Sequence, residues 1–454
     1  MAKNKTTYKC ENCNARLGKW AGQCPECQEW NCIVESLPQS APAGRFGGYS
    51  GQLSNEVKNL ASVDQASIER MPVGVGELDR VLGGGIVPGS VILLGGDPGI
   101  GKSTLLIQLV AALAGRFPSL YITGEESLDQ IGMRARRLEL SLDGIRCLTE
   151  TSVEQILGHA DAEKPRLMII DSIQTVYTES LGSAPGSVTQ IRESAAALVR
   201  WAKENHCCVI LVGHVTKEGA LAGPRVLEHM VDAVLYFESD GGSRYRVVRA
   251  IKNRFGAVNE LGMFAMTGKG LKEVKNPSAI FLSGHEKPVS GSAITVVREG
   301  TRPILLEVQA LVDLSHLNNP RRVALGLEQN RLAMMLAILH RHGGVALADH
   351  DVFINVVGGM RITETGADLP MLLALYSSFR DRPLKDRMIC FGEVGLSGEI
   401  RPVPDGEQRL KEAAGHGFKM AVIPAANAPR KPLEGLTVIA ARNVGETLER
   451  IGRE

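Results

Sequence analysis

Residues 95–104, GGDPGIGKST, have the composition and spacing of a loop that binds nucleotide phosphates. Gly96, four further residues, Gly101, Lys102 and Ser103 form the pattern, which joins an apolar strand-like run to a helical run. Glycines let backbone N–H groups point at phosphate, a helix N-terminus favours an anion, and the lysine reaches the terminal phosphates. The alternative is a glycine-rich turn without a ligand. The predicted phosphate-binding residues are Gly96, Asp97, Pro98, Gly99, Ile100, Gly101, Lys102, Ser103 and Thr104.

Carboxylates follow two other strand-like runs. Asp171 closes RLMIID, and we expect it to bind Mg²⁺ together with the hydroxyl of Ser103. Glu125 and Glu126 follow SLYIT. At the carboxyl edge of a parallel sheet, such an acid can orient or deprotonate a water. The alternative is a helix N-terminus, where acidic side chains are favoured without a catalytic role.

Four cysteines near the N-terminus form two C-x-x-C pairs: Cys10, Cys13, Cys24 and Cys27. Two such pairs can close a tetrahedral Zn²⁺ site, although disulfides or a redox role are the alternatives. So small a module has little core, so we expect the metal to supply about 10 kcal/mol of folding energy. Whether a zinc ribbon here is structural or contacts nucleic acid or protein stays open. The other five cysteines, Cys32 among them, are scattered, which indicates a reducing compartment.

The segment KNRFG, residues 252–256, ends a strand pattern in two cations that flank an amide. A solvated strand end before a turn is the simplest interpretation of Lys252 and Arg254. We expect Phe255 to pack the turn and Gly256 to allow its backbone geometry. The surrounding residues, 241–275, hold eight cations against two acids, and this local excess suits contacts with phosphate or DNA.

Length and charge limit the class of protein. At 454 residues the chain is too long for one ordinary domain, and a net charge of +1 confines any nucleic-acid surface to a local patch. The polar N-terminus lacks the apolar segment of a secretory signal, and no run approaches the roughly 18 apolar residues of a membrane span. We therefore expect a soluble, cytoplasmic protein with no membrane partner.

Composition divides the chain into four segments. Residues 1–35 form the cysteine module, and residues 36–56, rich in Ser, Pro and Gly, form a linker. In residues 57–280, β-branched runs alternate with helical patterns, which predicts a mostly parallel sheet covered by helices. Its last strands are joined by SDGGS, so we expect an antiparallel edge. Residues 281–454 are predicted to form a further α+β domain.

Over nearly its whole length the chain resembles a known family. The segment MPVGVGELDRVLGGGIVPGSVILLGGDPGIGKST, with YITGEES and ILVGHVTKEG, is similar to RecA-type ATPase cores. With KNRFG and four cysteines, the resemblance narrows to the bacterial RadA (Sms) family of recombination and repair ATPases. It implies a multidomain α/β fold with a zinc ribbon, a RecA-like phosphate-loop core, and a C-terminal domain similar to the proteolytic domain of Lon. The implied ligands are ATP, Mg²⁺ and Zn²⁺.

The resemblance implies roles that spacing leaves open. Glu125 matches the catalytic carboxylate better than Glu126, and His214 stands where RecA-type proteins carry a polar sensor of the γ-phosphate. Lys252 and Arg254 match cations that act on the γ-phosphate of a neighbouring subunit, where such a finger contributes about 10³–10⁵ in rate.

Two segments resemble the DNA-binding loops of RecA rings and filaments. The segment 216–229, with Lys217 and Arg225, is similar to the central loop, and the segment 178–193 is similar to the other. Long loops at the carboxyl edge of a sheet favour a functional interpretation.

The C-terminal domain resembles Lon but departs from a protease. A Lon protease needs a nucleophilic Ser and a Lys that deprotonates it. Here the matching segments read TGADLPM, with Asp368 near the nucleophile's place, and DGEQRLKE, with Gln408 in place of the base. Lys411 lies one helical turn further on and stays open. We expect a non-catalytic scaffold whose cations face DNA or a neighbour, including Arg321, Arg322, Arg331 and Arg341.

The expected function is that of a DNA-stimulated ATPase in recombination and repair. The resemblance implies a homo-oligomeric ring, with a hexamer favoured, that moves on single-stranded and branched DNA, and it makes the RecA recombinase a candidate partner. Two other classes stay open. One is an ATP-dependent Lon-type protease, against which the absent Ser argues. The other is a RecA-fold signalling ATPase without a DNA substrate.

Overall fold

The computed structural model describes residues 7–36, except 11, 14–15 and 18, and residues 69–214, 224–239, 244–282, 287–316 and 319–453. The chain divides into two compact units, Met1–Gly51 and Gln52–Glu454. Beyond Ser36, the predicted linker lies outside the described residues. Within the described ranges, no helix is both long and apolar enough to cross a membrane.

The first unit is a small antiparallel sheet with the strand order β2-β1-β3, formed by β1 (Thr7–Cys10), β2 (Arg16–Leu17) and β3 (Ile33–Ser36). Its buried core is a cluster of Cys10, Cys24 and Ile33. Two of these three side chains are predicted metal ligands. Because so little apolar surface is buried, a bound metal is the natural source of stability for this module.

The second unit begins with a nine-stranded sheet of order β12-β11-β10-β9-β4-β8-β7-β5-β6. Neighbouring strands from β4 to β9 are parallel, whereas β10, β11 and β12 pair antiparallel, so the predicted mostly parallel sheet with an antiparallel edge is confirmed. The strands are β4 (Val91–Gly96), β5 (Ser119–Thr123), β6 (Arg146–Thr149), β7 (Leu167–Asp171), β8 (Cys208–His214), β9 (Ala233–Glu238), β10 (Tyr245–Asn253), β11 (Leu261–Thr267) and β12 (Gly270–Glu273).

Helices cover both faces of this sheet. Side chains of β4 alternate between two cores: Ile92 and Leu94 belong to one, and Val91 and Leu93 belong to the other. The first core includes residues of α1, α2 and α3, and the second includes residues of α4 and α5. The helices are α1 (Gly76–Leu82), α2 (Lys102–Leu113), α3 (Leu128–Arg137), α4 (Val153–Glu163), α5 (Val188–Glu204) and α6 (Pro224–Leu227).

The C-terminal part is an α+β domain built on a mixed sheet of order β15-β16-β14-β13-β17-β20-β21, with a separate hairpin of β18 and β19. Its strands are β13 (Ser292–Glu299), β14 (Arg302–Leu314), β15 (Arg322–Leu325), β16 (His350–Val356), β17 (Met388–Cys390), β18 (Glu393–Val394), β19 (Ile400–Arg401), β20 (Met420–Pro424) and β21 (Thr437–Ala441). Its helices are α7 (Ser278–Phe281), α8 (Gln329–Gly343), α9 (Asp368–Arg380), α10 (Gly406–Gly415) and α11 (Val444–Arg453).

Polar contacts join this domain to helix α1 and to strand β10 of the central sheet. Arg302 of β14 pairs with the buried Glu77 of α1, with Nη1 3.1 Å from Oε1. Arg249 of β10 pairs with Glu299 of β13 at 2.9 Å. Removing one partner of either pair would leave a largely buried charge unpaired, which is costly.

Candidate active site and cysteine cluster

The phosphate-loop segment folds as a strand, a loop and a helix. Gly96, Gly99 and Gly101 have φ angles of 153°, 74° and 118°, in the region that favours glycine. A Cβ at Gly96 would lie 2.6 Å from the Phe237 carbonyl oxygen. Gly101 is the N-cap of α2 and offers no side chain to the first N–H groups of the helix. These N–H groups, and a loop backbone whose conformation requires glycine, suit a bound phosphate.

Lys102 is buried at the start of α2. Its Nζ donates to the carbonyl oxygens of Gly96 at 2.7 Å and Asp97 at 3.0 Å, and lies 3.3 Å from Nδ1 of His214. Burial lowers the pKa of Lys102, and the carboxylates of Asp171 and Glu125 oppose this effect. Because an ammonium group has only donors, Nδ1 of His214 accepts and its Nε2 carries the proton.

Glu125 completes this chain of contacts. Its Oε1 accepts from His214 Nε2 at 3.1 Å and from the hydroxyl of Ser172. The hydrogen bond from His214, supported by that from Ser172, lowers the pKa of Glu125, although burial opposes the change. Glu126 instead pairs with Arg134 on α3. Of the two adjacent acids, only Glu125 therefore takes part in the contacts that start at Lys102.

Asp171 lies at the end of β7, at the same sheet edge as the phosphate loop. The hydroxyl of Tyr121 donates to its Oδ2 at 2.5 Å. Burial, reinforced by Asp171, raises the pKa of Tyr121 well above its usual value, so Tyr121 stays a donor. The carboxylate of Asp171 and the hydroxyl of Ser103 supply the oxygen ligands that Mg²⁺ prefers. Tyr121 was not predicted, although a hydroxyl inside a buried strand requires a partner.

Arg246 is one of the eight cations of residues 241–275, but its contact with the phosphate loop was not predicted. It lies near the start of β10, and its Nε donates to the carbonyl oxygen of Ile100 in the phosphate loop at 3.1 Å. The antiparallel part of the sheet therefore contacts the phosphate loop directly.

Lys252 and Arg254 lie near the amino ends of the parallel strands. The phosphate loop of the same chain follows the opposite, carboxyl end of β4. Asn253 pairs with Ala233, which pairs with Ile92, four residues before Gly96. Four strand residues span about 13 Å. Nζ of Lys252 donates to the carbonyl oxygens of Glu228 at 2.7 Å and Val231 at 2.8 Å. Arg254 Nη1 lies 3.0 Å from Oδ1 of the buried Asp232.

The turn after these cations is held by Asn253. Its Oδ1 accepts from the Phe255 N–H at 2.9 Å, and its Nδ2 donates to the Val81 carbonyl at 3.3 Å. The expectation that Gly256 provides unusual backbone geometry is wrong, since its φ is not among the positive ones. Gly256 is needed for space instead, because a Cβ there would lie 3.1 Å from Cα of Gly83.

The prediction that residues 178–193 form a loop is wrong from Val188 on, where α5 begins, and Gln190 of this helix fixes the residues before it. Buried Gln190 accepts from the N–H of Thr178 at 2.9 Å and donates to the carbonyl oxygens of Leu181 and Ser183 at 3.2 and 2.9 Å. In the other predicted loop, Lys217 lies outside the described residues, and the backbone of Arg225 belongs to α6.

The place of the Lon nucleophile holds an ion pair. Buried Asp368 accepts from Arg331 Nε at 2.6 Å and from Arg331 Nη2, and also from the Val394 N–H at 3.0 Å. Arg331 therefore has a structural task in this ion pair, and its contact with DNA or a neighbour stays a prediction. Lys411 pairs with Glu407 on the exposed side of α10 at 2.8 Å. Neither arrangement provides a nucleophile and its base.

The four predicted cysteine ligands form one cluster, with all sulfur atoms within 4.8 Å of one another. Cys10 and Cys27, like Cys13 and Cys24, are 3.6 Å apart. Zn–S bonds of about 2.3 Å in a tetrahedron separate the sulfurs by about 3.8 Å, so the cluster fits Zn²⁺. The expectation that Cys32 is a scattered cysteine is wrong. Its Sγ lies 3.4 Å from Sγ of Cys10, beside the cluster.

Family comparisons agree with this three-part organisation. The chain matches the family models described as AAA domain over residues 75–220, Rubredoxin metal binding domain over residues 8–35, and Subunit ChlI of Mg-chelatase over residues 328–427. These matches, with the cysteine cluster and the mostly parallel sheet, confirm a zinc ribbon, a phosphate-loop core and a Lon-like C-terminal domain.

Full-length relatives are similar over almost the entire chain. The chain is 59% identical over 450 residues to the DNA repair protein RadA of Pseudomonas aeruginosa, covering 99% of both chains. It is 55% identical over 447 residues to that of Haemophilus influenzae and 54% identical over 449 residues to that of Escherichia coli, covering 98% of both chains in each case.

Proposed function

Since this chain belongs to the RadA family of DNA repair proteins, we propose that it is a DNA-stimulated ATPase of recombination and repair. It acts in the cytoplasm as a homo-oligomeric ring, with six subunits favoured, that moves on single-stranded and branched DNA. The RecA recombinase is its candidate protein partner. The observation that carries the proposal is the contact chain from Lys102 through His214 to Glu125 beside a glycine-shaped phosphate loop.

In this proposal each site residue has one task. Lys102 binds the terminal phosphates of the substrate ATP, in place of the loop carbonyl oxygens that it now contacts. Ser103 and Asp171 would hold Mg²⁺, which when bound neutralises charge on the phosphate oxygens. Glu125 orients the attacking water and takes its proton. Both side-chain bonds to Glu125 end on Oε1, so Oε2 can bind the water.

His214 is proposed to sense the phosphate. It contacts Lys102 through Nδ1 and Glu125 through Nε2, so movement of the lysine toward a phosphate removes the donor from Nδ1. His214 also ends β8, directly before the segment predicted to bind DNA. A change at His214 can therefore reach both the catalytic carboxylate and the DNA-binding segment.

Lys252 and Arg254 are proposed to act on the ATP of a neighbouring subunit. Their position at the sheet edge opposite their own phosphate loop supports this role, because a residue so placed needs a second subunit to meet a nucleotide. The present partners of both side chains hold the strand end, so the same residues also have a structural task.

The Lon-type protease is the weaker candidate, because Asp368 and Arg331 occupy the nucleophile's place as an ion pair. A signalling ATPase differs from the proposed function in its response to DNA. Steady-state ATP hydrolysis with and without a single-stranded oligonucleotide at low salt separates these two.

The test of the site is Lys102→Ala, which we expect to abolish hydrolysis. Arg146→Ala is the control, because Arg146 lies on the same sheet, outside residues 241–275, and pairs at the surface with Glu163. Normal turnover in Lys102→Ala would refute the ATPase site. Equal rates with and without DNA in the unmodified protein would refute the DNA-stimulated function.

A further inference from the structure

The cysteine module exposes two large aromatic side chains. Trp20 is 61% exposed and Trp30 is 68% exposed, whereas the third tryptophan of the chain, Trp201, is buried at 8%. Tryptophan is highly buried on average, so two exposed indoles in one small module indicate a contact surface.

The two indole rings flank Gly22. A Cβ built at Gly22 would lie 3.8 Å from Cζ3 of Trp30 and 3.9 Å from Cη2 of Trp20. These two ring atoms are therefore at most about 8 Å apart, so both indoles lie beside the same glycine.

The backbone that carries the rings is tied to the cysteine cluster. The N–H of Asn31 donates to the Gly22 carbonyl at 2.9 Å, and the N–H of Cys24 donates to the Glu29 carbonyl at 2.9 Å. Gln23 and Trp30 form an isolated antiparallel bridge. The spacing of the rings therefore depends on the same short turn that presents Cys24 to the metal.

We propose that Trp20 and Trp30 form a clip that stacks on an unpaired base of single-stranded DNA. An unpaired base is a flat aromatic group, and stacking on aromatic side chains is a general way to bind it without reading sequence. Exposed Lys19, next to Trp20, is placed to contact a backbone phosphate. This inference rests on the proposed function, since it assigns a DNA contact to a part of the chain that the ATPase mechanism does not use.

The low net charge of the cysteine module favours stacking, and not electrostatic attraction, as the source of its affinity for DNA. Residues 1–36 hold five cations and four acids, so the module has almost no net charge. Binding to the clip should therefore depend weakly on salt, whereas binding to a cationic surface falls steeply as salt rises.

The experiment uses the full-length, zinc-loaded protein with Trp201→Phe, so that only Trp20 and Trp30 fluoresce. The probe is an oligothymidine of eight nucleotides, and the readout is quenching of tryptophan emission at two salt concentrations. Trp20→Ala and Trp30→Ala should each weaken binding about tenfold. Zinc content is measured in each variant to show that the module is intact.

Gly22→Val tests the geometry while both rings remain. A Cβ at Gly22 lies at ordinary contact distance from both rings, so a larger side chain there occupies the surface beside them. We expect it to weaken oligothymidine binding as much as removal of a ring does. Glu26→Ala, an exposed change in the same module, is the matched control and should bind normally.

Two results would overturn the clip. Unchanged oligothymidine binding in all three variants would do so and would leave the exposed rings to a protein partner. Absence of quenching in the parent protein would also do so. If DNA still stimulates hydrolysis in that case, the proposed function stands without the clip, and if it does not, both proposals fall.

Discussion

Arg254→Ala separates a catalytic task from a structural one. Arg254 pairs with Asp232, whose side chain is only 4% exposed, so the simplest objection is that loss of the arginine unfolds the protein. Asp232 has two further partners, however: Lys203 at 3.6 Å and the N–H of Val91 at 3.1 Å. The carboxylate therefore stays paired after the substitution.

The expected magnitudes differ widely. Arg254 is 52% exposed, and an ion pair of such a side chain contributes about 0–1 kcal/mol to stability. A cation that stabilises transition-state charge on a neighbour's phosphate contributes about 10³-fold or more in rate, or roughly 4 kcal/mol. Arg254→Ala should therefore unfold at nearly the same urea concentration as the parent, bind ATP nearly normally and hydrolyse it about 10³-fold more slowly.

Subunit mixing shows whether the task is performed across an interface. The Arg254→Ala subunit keeps an intact phosphate loop, and the Lys102→Ala subunit keeps Lys252 and Arg254. At some interfaces of a mixed oligomer, the intact phosphate loop therefore faces the intact cations. Co-expressed variants should recover part of the activity that each lacks alone. Arg254→Lys should restore little, because an ammonium group cannot span two phosphate oxygens as a guanidinium does.

The matched control is Arg146→Ala. Arg146 is 55% exposed and pairs with the exposed Glu163, so it removes a comparable surface arginine from the same core. It should leave hydrolysis unchanged. If mixed oligomers form and are no more active than the separate variants, the role across subunits is wrong. Weaker and less salt-dependent DNA binding by Arg254→Ala would then assign the cation to DNA.

Three further predictions concern single contacts. Ser172→Ala removes one bond that lowers the pKa of Glu125, so this pKa should rise and the acidic limb of the hydrolysis pH profile should move to higher pH; an unmoved limb would argue against Glu125 as the base. Cys24→Ser should release zinc without lowering the melting temperature of the second unit, and a shared loss would show that the two units fold together. Arg331→Ala should cost about 3 kcal/mol of stability in urea, because Asp368 is left buried and unpaired, whereas a similar loss in the exposed Lys411→Ala would contradict this explanation.

The fold class and the phosphate loop follow from local patterns. Strand-like runs, glycines at fixed spacing and paired cysteines are each read over a few residues, and the structure has the strands and the cysteine cluster where these patterns predict them. The hairpin predicted before Tyr245 also implies that Lys252 lies at the far edge of the sheet, because an antiparallel strand returns the chain to that edge. The position of Lys252 could therefore have been predicted from the sequence.

Contacts between side chains that are far apart in the sequence could not be predicted from the sequence. Tyr121 meets Asp171 across 50 residues of sequence, and Arg331 meets Asp368 across 37. Such pairs depend on which strands become neighbours and on the direction of each side chain.

Strand β10 connects three sites in one stiff element. Arg246 near its start touches the phosphate loop at Ile100, Arg249 in its middle is tied to Glu299 of the C-terminal domain, and Arg254 follows its last residue. About 26 Å separates Arg246 from Arg254 along an extended chain. Strand β11 pairs with Tyr245–Arg249 and β9 pairs with Val247–Asn253, with a register shift between Ala250 and Lys252, so a neighbouring strand holds β10 along its whole length. In the proposed ring, a displacement of β10 at the phosphate loop of one subunit would therefore change the position of the Arg254 that this subunit presents to its neighbour.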